Sequence, residues 1–190
     1  ELNLASCWVR SGAVGRGTTL AMDIVDAAQI GGAARFEYRA LAIAATGLRL
    51  DGRLASARRA IDHALERAEA VVDADDLTLP WLRRVAARIA LDDNDLLRAE
   101  VHLGRAFENP QIREAERGGD PVFEHRRLWL ERAELRLRQG HETEALMDLQ
   151  WVRSYCDLDA CEPELLAELE LLLDAANSER AAMANRGPRR

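Results

Sequence analysis

One pattern of residues occurs three times in this chain and constrains its fold more than any other feature. In each copy one alanine stands seven positions before a turn residue and another stands five positions after it. The three turn residues are Gly52, Asn94 and Gly140. The matching positions are Ala45, Ala87 and Ala133 before the turn, and after it Ala57, Ala99 and Ala145, then Ile61, Leu103 and Leu149, then Ala64, Ala106 and Val152. Small residues suit places where two helices approach closely, and larger apolar residues fill the space between them. The pattern therefore predicts stacked helical hairpins, because one hairpin cannot bury its apolar face alone.

The rest of the sequence also favours helices. Apolar residues recur at spacings of three and four, and no stretch alternates as a strand does. The helices that we predict are 18–29, 33–50, 53–72, 78–91, 95–108, 121–139, 142–155 and 163–176. Residues 1–12 fit the remains of another helix, and 109–120 fit a loop or a frayed helix end. A weaker fourth copy of the pattern fits the start, with Gly15, Ile24 and Ala27 in the matching places. The sequence therefore predicts an all-α fold.

The repeated pattern resembles the tetratricopeptide (TPR) repeat. That family has a small residue in helix A, glycine at the turn, alanine early in helix B, then a large apolar residue and another alanine. The segment from Arg98 to Pro110 matches best, and Trp129 stands four positions before Ala133, where the family often has tryptophan. The resemblance covers roughly residues 1 to 156. It implies a right-handed α-solenoid of antiparallel helix hairpins, with about three to four repeats and a further C-terminal helix.

The repeats also depart from the family. The matched alanines are 42 and 46 residues apart, against about 34 in tetratricopeptide repeats, and alanine replaces the glycine of helix A. Longer, degenerate repeats of this kind resemble the arrays of maltose-regulator-type bacterial transcription activators. We expect a single TPR-like domain over 1–176 and a flexible basic tail over 177–190. The structural alternative is an ordinary α-helical bundle in which the matching register is coincidental.

In tetratricopeptide arrays, helix A of each repeat lines a concave groove. Carried over to this protein, the resemblance implies a groove with six arginines and one tryptophan: Arg39, Arg49, Trp81, Arg84, Arg88, Arg127 and Arg138. The guanidinium fork suits carboxylate and phosphate groups, and the indole adds a cation–π surface. The hypothesis is a basic groove that binds an acidic peptide segment or the C-terminus of a partner protein. The alternative is that these arginines are solvated, with their stems covering apolar surface and with intrahelical partners at Glu131 and Glu134.

Bulk properties exclude several classes of partner. The net charge is −7, so the molecule as a whole is not attracted to nucleic acid or to an anionic membrane. No apolar run approaches the ~20 residues of a membrane span, and no signal peptide is visible. Three cysteines, Cys7, Cys156 and Cys161, make no disulfide framework, although the last two could bridge if their turn allowed it. We therefore expect a reduced, cytoplasmic protein, and because the sequence begins at Glu1 inside a predicted helix, we expect a fragment of a longer one.

Candidate metal and phosphate motifs fail on their spacing. Residues 73–76 and 92–95 are acidic but lack the glycine and glutamate of a calcium loop, so we expect them to cap helices. Residues 12–17, GAVGRG, lack the lysine and hydroxyl residue of a phosphate loop, and Thr18 or Thr19 is expected to cap the next helix. The four histidines have no zinc spacing: His63, His102, His125 and His141. We therefore expect no catalytic residues, no metal site and no cofactor.

These observations leave two hypotheses for function. The first is a non-enzymatic scaffold or adaptor module that binds a protein or peptide through the Arg-rich surface of its A helices. The alternative is a ligand- or protein-sensing regulatory segment of a larger bacterial transcription regulator or signalling protein. Neither hypothesis includes direct binding of nucleic acid or membrane. Self-association is a further expectation, since repeat arrays expose apolar end faces and helix 163–176 is apolar enough to serve as a cap or dimer contact.

Overall fold

The computed structural model describes residues 1–73, 76–116, 126–158 and 163–186. Within these ranges the protein forms ten α-helices and no strand, which confirms the predicted all-α fold. The helices are α1 (Leu2–Arg10), α2 (Val14–Ile30), α3 (Ala34–Leu50), α4 (Leu54–Glu69), α5 (Thr78–Asp92), α6 (Leu96–Phe107), α7 (Pro110–Glu116), α8 (Arg126–Arg138), α9 (Glu142–Leu158) and α10 (Pro163–Arg186). None of the helices in these ranges has both the length and the apolar character that a bilayer span needs.

Most helix boundaries lie within three residues of the prediction, and the exceptions are informative. α2 begins at Val14 rather than at residue 18, and α7 occupies part of the expected loop 109–120. The first five residues of predicted helix 121–139 lie outside the described residues. α10 continues to Arg186, through the first ten residues of the expected tail 177–190, and residues 187–190 lie outside the described ranges.

The turns share one backbone conformation. Gly52, Asn94 and Gly140 all have positive φ, at 73°, 56° and 78°, which confirms their predicted role. Glycine adopts this left-handed conformation without steric cost, and asparagine tolerates it. The residue after each of them donates its N–H over 2.8 Å to a carbonyl in the last turn of the preceding helix, which is the geometry of a Schellman cap. The three hairpins are therefore closed in the same way.

The turn of the first copy lies at Gly12 and not at Gly15, where the sequence pattern predicts it. Gly12 has a φ of 88° and lies between α1 and α2, whereas Gly15 lies inside α2. Counting from Gly12 puts buried Gly17 and Ala21 in the places of the repeated alanine and the larger apolar residue. The register with Gly15, Ile24 and Ala27 is therefore wrong by three residues.

The protein divides into two compact units, residues 1–120 and 121–190, which we call the N-terminal and C-terminal units. In the N-terminal unit α1 contacts α3 and α3 contacts α5, so these three inner helices form a continuous layer. The outer helices α2, α4 and α6 pack on the inner ones and lack comparable contacts with one another. In the C-terminal unit α10 packs on both helices of the α8–α9 hairpin. The expected single domain over 1–176 stays a prediction.

The repeated small and apolar positions form the core. All twelve matched positions are at most 2% exposed, so the spacing found in the sequence is a packing pattern. Alanine at such positions lets helices approach closely, and Gly47 marks the tightest approach. A Cβ at Gly47 would lie 2.1 Å from Oγ1 of Thr18, which places α2 almost against the backbone of α3. In the C-terminal unit, Trp129 is 1% exposed and stacks on Trp151 with ring centroids 3.9 Å apart.

Segment 92–95 caps a helix as predicted, through Asp95, whereas in segment 73–76 the nearest acid, Asp76, lies one residue before Leu77, the N-cap of α5. The side chain of Asp95 accepts a bond from the N–H of Arg98 at the start of α6, and Oδ1 of Asp76 accepts one from the N–H of Thr78 over 2.7 Å. Thr18 and Thr19 do not cap α2. Because α2 begins at Val14, their hydroxyls lie inside it and donate to carbonyls one turn earlier.

The expectation of fully reduced cysteines is wrong for one of them. Cys156 is disulfide-bonded, whereas Cys7 is exposed and free. Cys156 lies in the last turn of α9, just before the backbone returns along that helix as α10. Cys161 lies outside the described residues.

Candidate functional site

Positive charge is concentrated on the inner helices of the N-terminal unit. Seven arginines and two acidic residues lie on α1, α3 and α5: Arg10, Arg35, Arg39, Arg49, Arg83, Arg84 and Arg88, with Glu37 and Asp92. On α2, α4 and α6 six arginines are balanced by six acids: Arg16, Arg58, Arg59, Arg67, Arg98 and Arg105, with Asp23, Asp26, Asp62, Glu66, Glu69 and Glu100. A protein with net charge −7 thus has one basic layer.

Two charged residues of this layer make ion pairs with outer helices. Arg83 pairs with Glu69 of α4 over 2.5 Å, and its side chain is only 12% exposed. Glu37 accepts a bond from Arg67 of α4 over 2.8 Å. The acidic residue that remains with the basic layer is Asp92, at the C-terminal end of α5.

Asp92 joins two of the predicted groove residues. Nη1 of Arg49 on α3 donates to Oδ2 of Asp92 over 2.6 Å, and Nη2 of Arg88 donates to Oδ1 over 2.5 Å. Burial raises the pKa of Asp92, but the hydrogen bonds and charges of the two guanidinium groups outweigh it, so the pKa lies below its ordinary value. The structure therefore brings Arg49 and Arg88 together around a carboxylate that stays ionised.

Three further predicted residues extend this surface. Arg39 is exposed and makes no ion pair with the described part of the protein, and at 100° per residue it lies about 80° around α3 from Arg49. Trp81 and Arg84 are half-buried and share a face of α5 with Arg88, and the indole packs against the core of the unit. We call the five residues Arg39, Arg49, Trp81, Arg84 and Arg88 the basic inner face.

The other two predicted residues lie in the C-terminal unit. Nη1 of Arg127 is 3.4 Å from Oε2 of Glu168 on α10, and Arg138 pairs with Glu134 one turn away in α8. The expected intrahelical pair of Arg138 is confirmed, while Arg127 also has a partner on another helix. Both guanidinium groups are thus engaged within their own unit, and the candidate site consists of the basic inner face.

Sequence analysis missed a buried polar cluster around Glu37. Its side chain is 4% exposed and accepts bonds from Gln29 of α2 and Arg67 of α4, while Nε2 of His63 lies 3.6 Å from Oε1. Burial raises the pKa of Glu37, and the two hydrogen bonds and the positive neighbours outweigh it, so the pKa is lowered. Gly32 lies between α2 and α3 and has a φ of 65°. The sequence carries a signal for the cluster, since Glu37 follows Gly32 by five positions, where the hairpin copies have alanine.

A second buried carboxylate lies in the C-terminal unit. Asp148 of α9 is 4% exposed and accepts two bonds from Arg132 and one from Arg136, both on α8. All three residues belong to one hairpin, so the cluster fixes the contact between its two helices.

His102 of α6 is a buried histidine whose pKa is lowered. Burial, together with nearby Arg98 and Arg83, lowers the pKa of His102 to about 4. Its Nδ1 atom is buried without a hydrogen-bond partner. The imidazole is therefore neutral at physiological pH.

The described residues contain no group of three or more histidine, cysteine or acidic side chains that could hold a metal ion. What distinguishes the candidate site is the positive charge of one helix layer. Comparison with protein-family models, with curated proteins and with solved structures finds no match to this protein.

Proposed function

We propose that the N-terminal unit is a non-enzymatic protein–protein interaction module whose basic inner face binds an acidic peptide segment. One observation carries the proposal: the inner helices hold seven arginines against two acids, while the outer helices are balanced. The protein as a whole carries a net negative charge. The excess of arginine on the inner helices is therefore a local feature and does not reflect the overall composition. Guanidinium groups present planar pairs of donors that match carboxylates.

The contacts of the helices support a TPR-like α-solenoid for this unit, and in this proposal the solenoid is right-handed, as the resemblance implies. Inner helices touch their inner neighbours, whereas outer helices lack comparable contacts with one another. An array packed in this way curves toward its inner side, as the concave surfaces of helical repeat proteins do. Arg39, Arg49 and Arg88 therefore belong to the concave side in this proposal.

The parts of the basic inner face have different roles in it. Arg39 is exposed and supplies a guanidinium that no described carboxylate neutralises. Trp81 offers an apolar surface for a ligand side chain that lies between two acidic residues of the ligand. Asp92 holds Arg49 and Arg88 in place in the free protein and competes with an incoming carboxylate. We therefore propose a ligand with acidic residues on either side of an apolar one.

The test is fluorescence anisotropy with a labelled peptide of alternating acidic and leucine residues. A matched peptide has glutamine and asparagine in place of the acids. Arg39→Glu should lower the affinity for the acidic peptide ~10-fold, because it reverses a charge that contacts the ligand. Arg59→Glu is the control, because Arg59 is also exposed but lies on outer helix α4. Equal affinity of the two peptides, or equal effects of the two variants, would rule the proposal out.

The alternative proposal is a sensing segment of a larger, cytoplasmic bacterial regulator. The repeat spacings of 42 and 46 residues favour it, since they resemble the arrays of maltose-regulator-type activators. In this case the basic inner face receives a small organic acid and not a peptide. A thermal-shift screen of di- and tricarboxylic acids separates the two proposals, because a stabilising acid whose effect is lost in Arg39→Glu favours the sensor.

A further inference from the structure

The outward side of α10 is acidic. Three carboxylates lie on it, Glu164, Glu170 and Asp174, and all three side chains are exposed. None of the three makes a hydrogen bond or an ion pair with the residues that the structure describes. Leu171, which lies between them, is 71% exposed, and residues 163–178 contain no arginine, lysine or histidine. We call Glu164, Glu170, Leu171 and Asp174 the acidic α10 face.

The opposite side of α10 is the one that packs in the C-terminal unit. Leu165 and Leu169 are 2% and 1% exposed, and α10 contacts both α8 and α9. At 100° per residue, Leu171 lies about 160° around the helix from Leu169 and is therefore outside this packed stripe. A carboxylate is covered without a large cost only by a surface that supplies opposite charge or hydrogen bonds. The acids beside Leu171 therefore determine which kind of surface can pack on this face, namely one that combines cations with an apolar group.

The basic inner face of the N-terminal unit has this combination. It lies in a layer of seven arginines and two acids, and it carries the half-buried indole of Trp81. Its Arg39 is exposed and makes no ion pair with the described residues. Four arginines of α8, by contrast, pair with acids of their own unit: Arg127 with Glu168, Arg132 and Arg136 with Asp148, and Arg138 with Glu134.

The two faces also match in length. Glu164 and Asp174 are ten residues apart in α10, and Arg39 and Arg49 are ten residues apart in α3. At a rise of 1.5 Å per residue, each pair spans about 15 Å along its helix. Two acids at the ends of one face can therefore meet two arginines at the ends of the other.

The apolar residues of the two faces fit the same arrangement. Counted back from the turn residue of each hairpin, Trp81 of α5 lies at the level of Arg39 of α3. Leu171 lies about 4.5 Å from Asp174 along α10. When Asp174 is placed beside Arg39, Leu171 therefore lies close to the level of Trp81, and the two side chains can bury each other.

We propose that the acidic α10 face of one molecule docks on the basic inner face of a second copy, with α10 antiparallel to α3. Asp174 then pairs with Arg39, and Leu171 covers the ring of Trp81. The inference rests on the proposed function, since it names a partner for the same site. Because the contact joins two different surfaces, each molecule keeps one of them open, and association continues past the dimer into chains or closed rings.

The test is sedimentation equilibrium of the whole protein at low ionic strength over a range of concentrations. We expect the average mass to rise with concentration and to pass that of a dimer. Arg39→Glu and Asp174→Arg each bring like charges together, and each should raise the dissociation constant ~10-fold. The double variant exchanges the two charges and should return the dissociation constant to within ~3-fold of the wild-type value.

Two control variants make the same changes of net charge elsewhere. Glu144→Arg alters an exposed residue of α9 and Arg59→Glu an exposed residue of α4, and neither should change the dissociation constant. A wild-type protein that stays monomeric, or an association that neither Arg39→Glu nor Asp174→Arg weakens, would overturn the inference. In either case, binding of the acidic peptide in the anisotropy experiment would leave the proposed function standing, whereas absence of that binding would remove both.

Discussion

Arg49 of α3 and Asp92 of α5 are joined by a hydrogen bond of 2.6 Å between Nη1 and Oδ2. The two residues are 43 positions apart in the sequence and connect neighbouring inner helices. Because Arg88 donates to the other oxygen of the same carboxylate, Asp92 orders two of the five residues of the basic inner face. In the proposed function, it is also the acidic residue that an incoming ligand has to displace or accompany.

Replacing Asp92 with asparagine should therefore change the stability of the protein and its affinity for the acidic peptide in opposite directions. Asp92→Asn should lower the free energy of unfolding by about 1 kcal/mol, the scale of partly exposed ion pairs. Because the substitution removes the carboxylate that pairs with Arg49 and Arg88, it should raise the affinity for the acidic peptide ~3-fold. Urea denaturation and anisotropy measure the two effects. The control is Asp93→Asn, because Asp93 pairs with Arg58 of outer helix α4, and an equal gain in affinity for both variants would contradict the assignment.

The Glu37 cluster predicts a pH dependence with a definite sign. The folded-state pKa of Glu37 lies below its ordinary value of 4.5, so its carboxylate stabilises the fold above that pH. This contribution is lost as the pH falls through the lowered value. Glu37→Gln should cost ~1.5–3 kcal/mol at pH 7 and approach the wild type in acid. The exposed Glu66 gives the control Glu66→Gln, which should change stability by less than ~0.5 kcal/mol. If the free energies of unfolding of Glu37→Gln and wild type differed by the same amount at pH 7 and in acid, the prediction would be contradicted.

Local sequence features were sufficient to predict most of the fold. Gly52, Asn94 and Gly140 were found because a left-handed residue closes each turn, and the core positions follow from it by fixed spacing. The first copy was misplaced because GAVGRG offers three glycines, and composition alone does not choose among them. Helix α7 lies in the segment 109–120, which the sequence predicts as a loop or a frayed helix end, although proline is well accepted at the first position of a helix. Asn109 caps it by accepting a bond from the N–H of Gln111.

The candidate site was less predictable, for a physical reason. The register put Arg39, Arg49 and Arg88 on helix A faces, which needs only helical periodicity. The pairing of Arg49 with Asp92 depends on how α3 packs against α5, and no local pattern contains that contact. The partner of Arg127 is likewise Glu168 on α10 and not only a neighbour in its own helix. Contacts between helices far apart in sequence have to be seen in three dimensions.

Two helical glycines should respond in opposite directions to the same substitution. Gly47→Ala places a Cβ 2.1 Å from Oγ1 of Thr18, so the helices must separate, at a cost of ~1–3 kcal/mol. A Cβ added at Gly104 of α6 would meet no atom within 4 Å, and Gly104→Ala should stabilise by ~0.5–1 kcal/mol through lower unfolded-state entropy. Thermal and urea denaturation of the pair give the comparison. Destabilisation by both variants to the same extent would argue against the close approach of α2 and α3.

The stacked tryptophans predict where the C-terminal unit is most sensitive. Trp129 is 1% exposed and Trp151 is half-buried, although the two rings touch. Trp129→Ala should cost ~3–5 kcal/mol because it leaves a large cavity, and Trp151→Ala should cost clearly less. Denaturation followed by tryptophan fluorescence and by far-UV circular dichroism checks the order. If Trp151→Ala lost more unfolding free energy than Trp129→Ala, Trp129 would not be at the centre of this core.

The most direct test of the central claim is a backbone amide chemical-shift titration with the acidic peptide. The account predicts that the largest shifts lie in 35–50 and 78–92, on the α3 and α5 faces with Arg39, Arg49, Trp81, Arg84 and Arg88, and that outer helices α4 and α6 change little. The glutamine and asparagine peptide should leave the spectrum unchanged at the same concentration. Shifts confined to the outer helices, or equal shifts with both peptides, would contradict binding through the basic inner face.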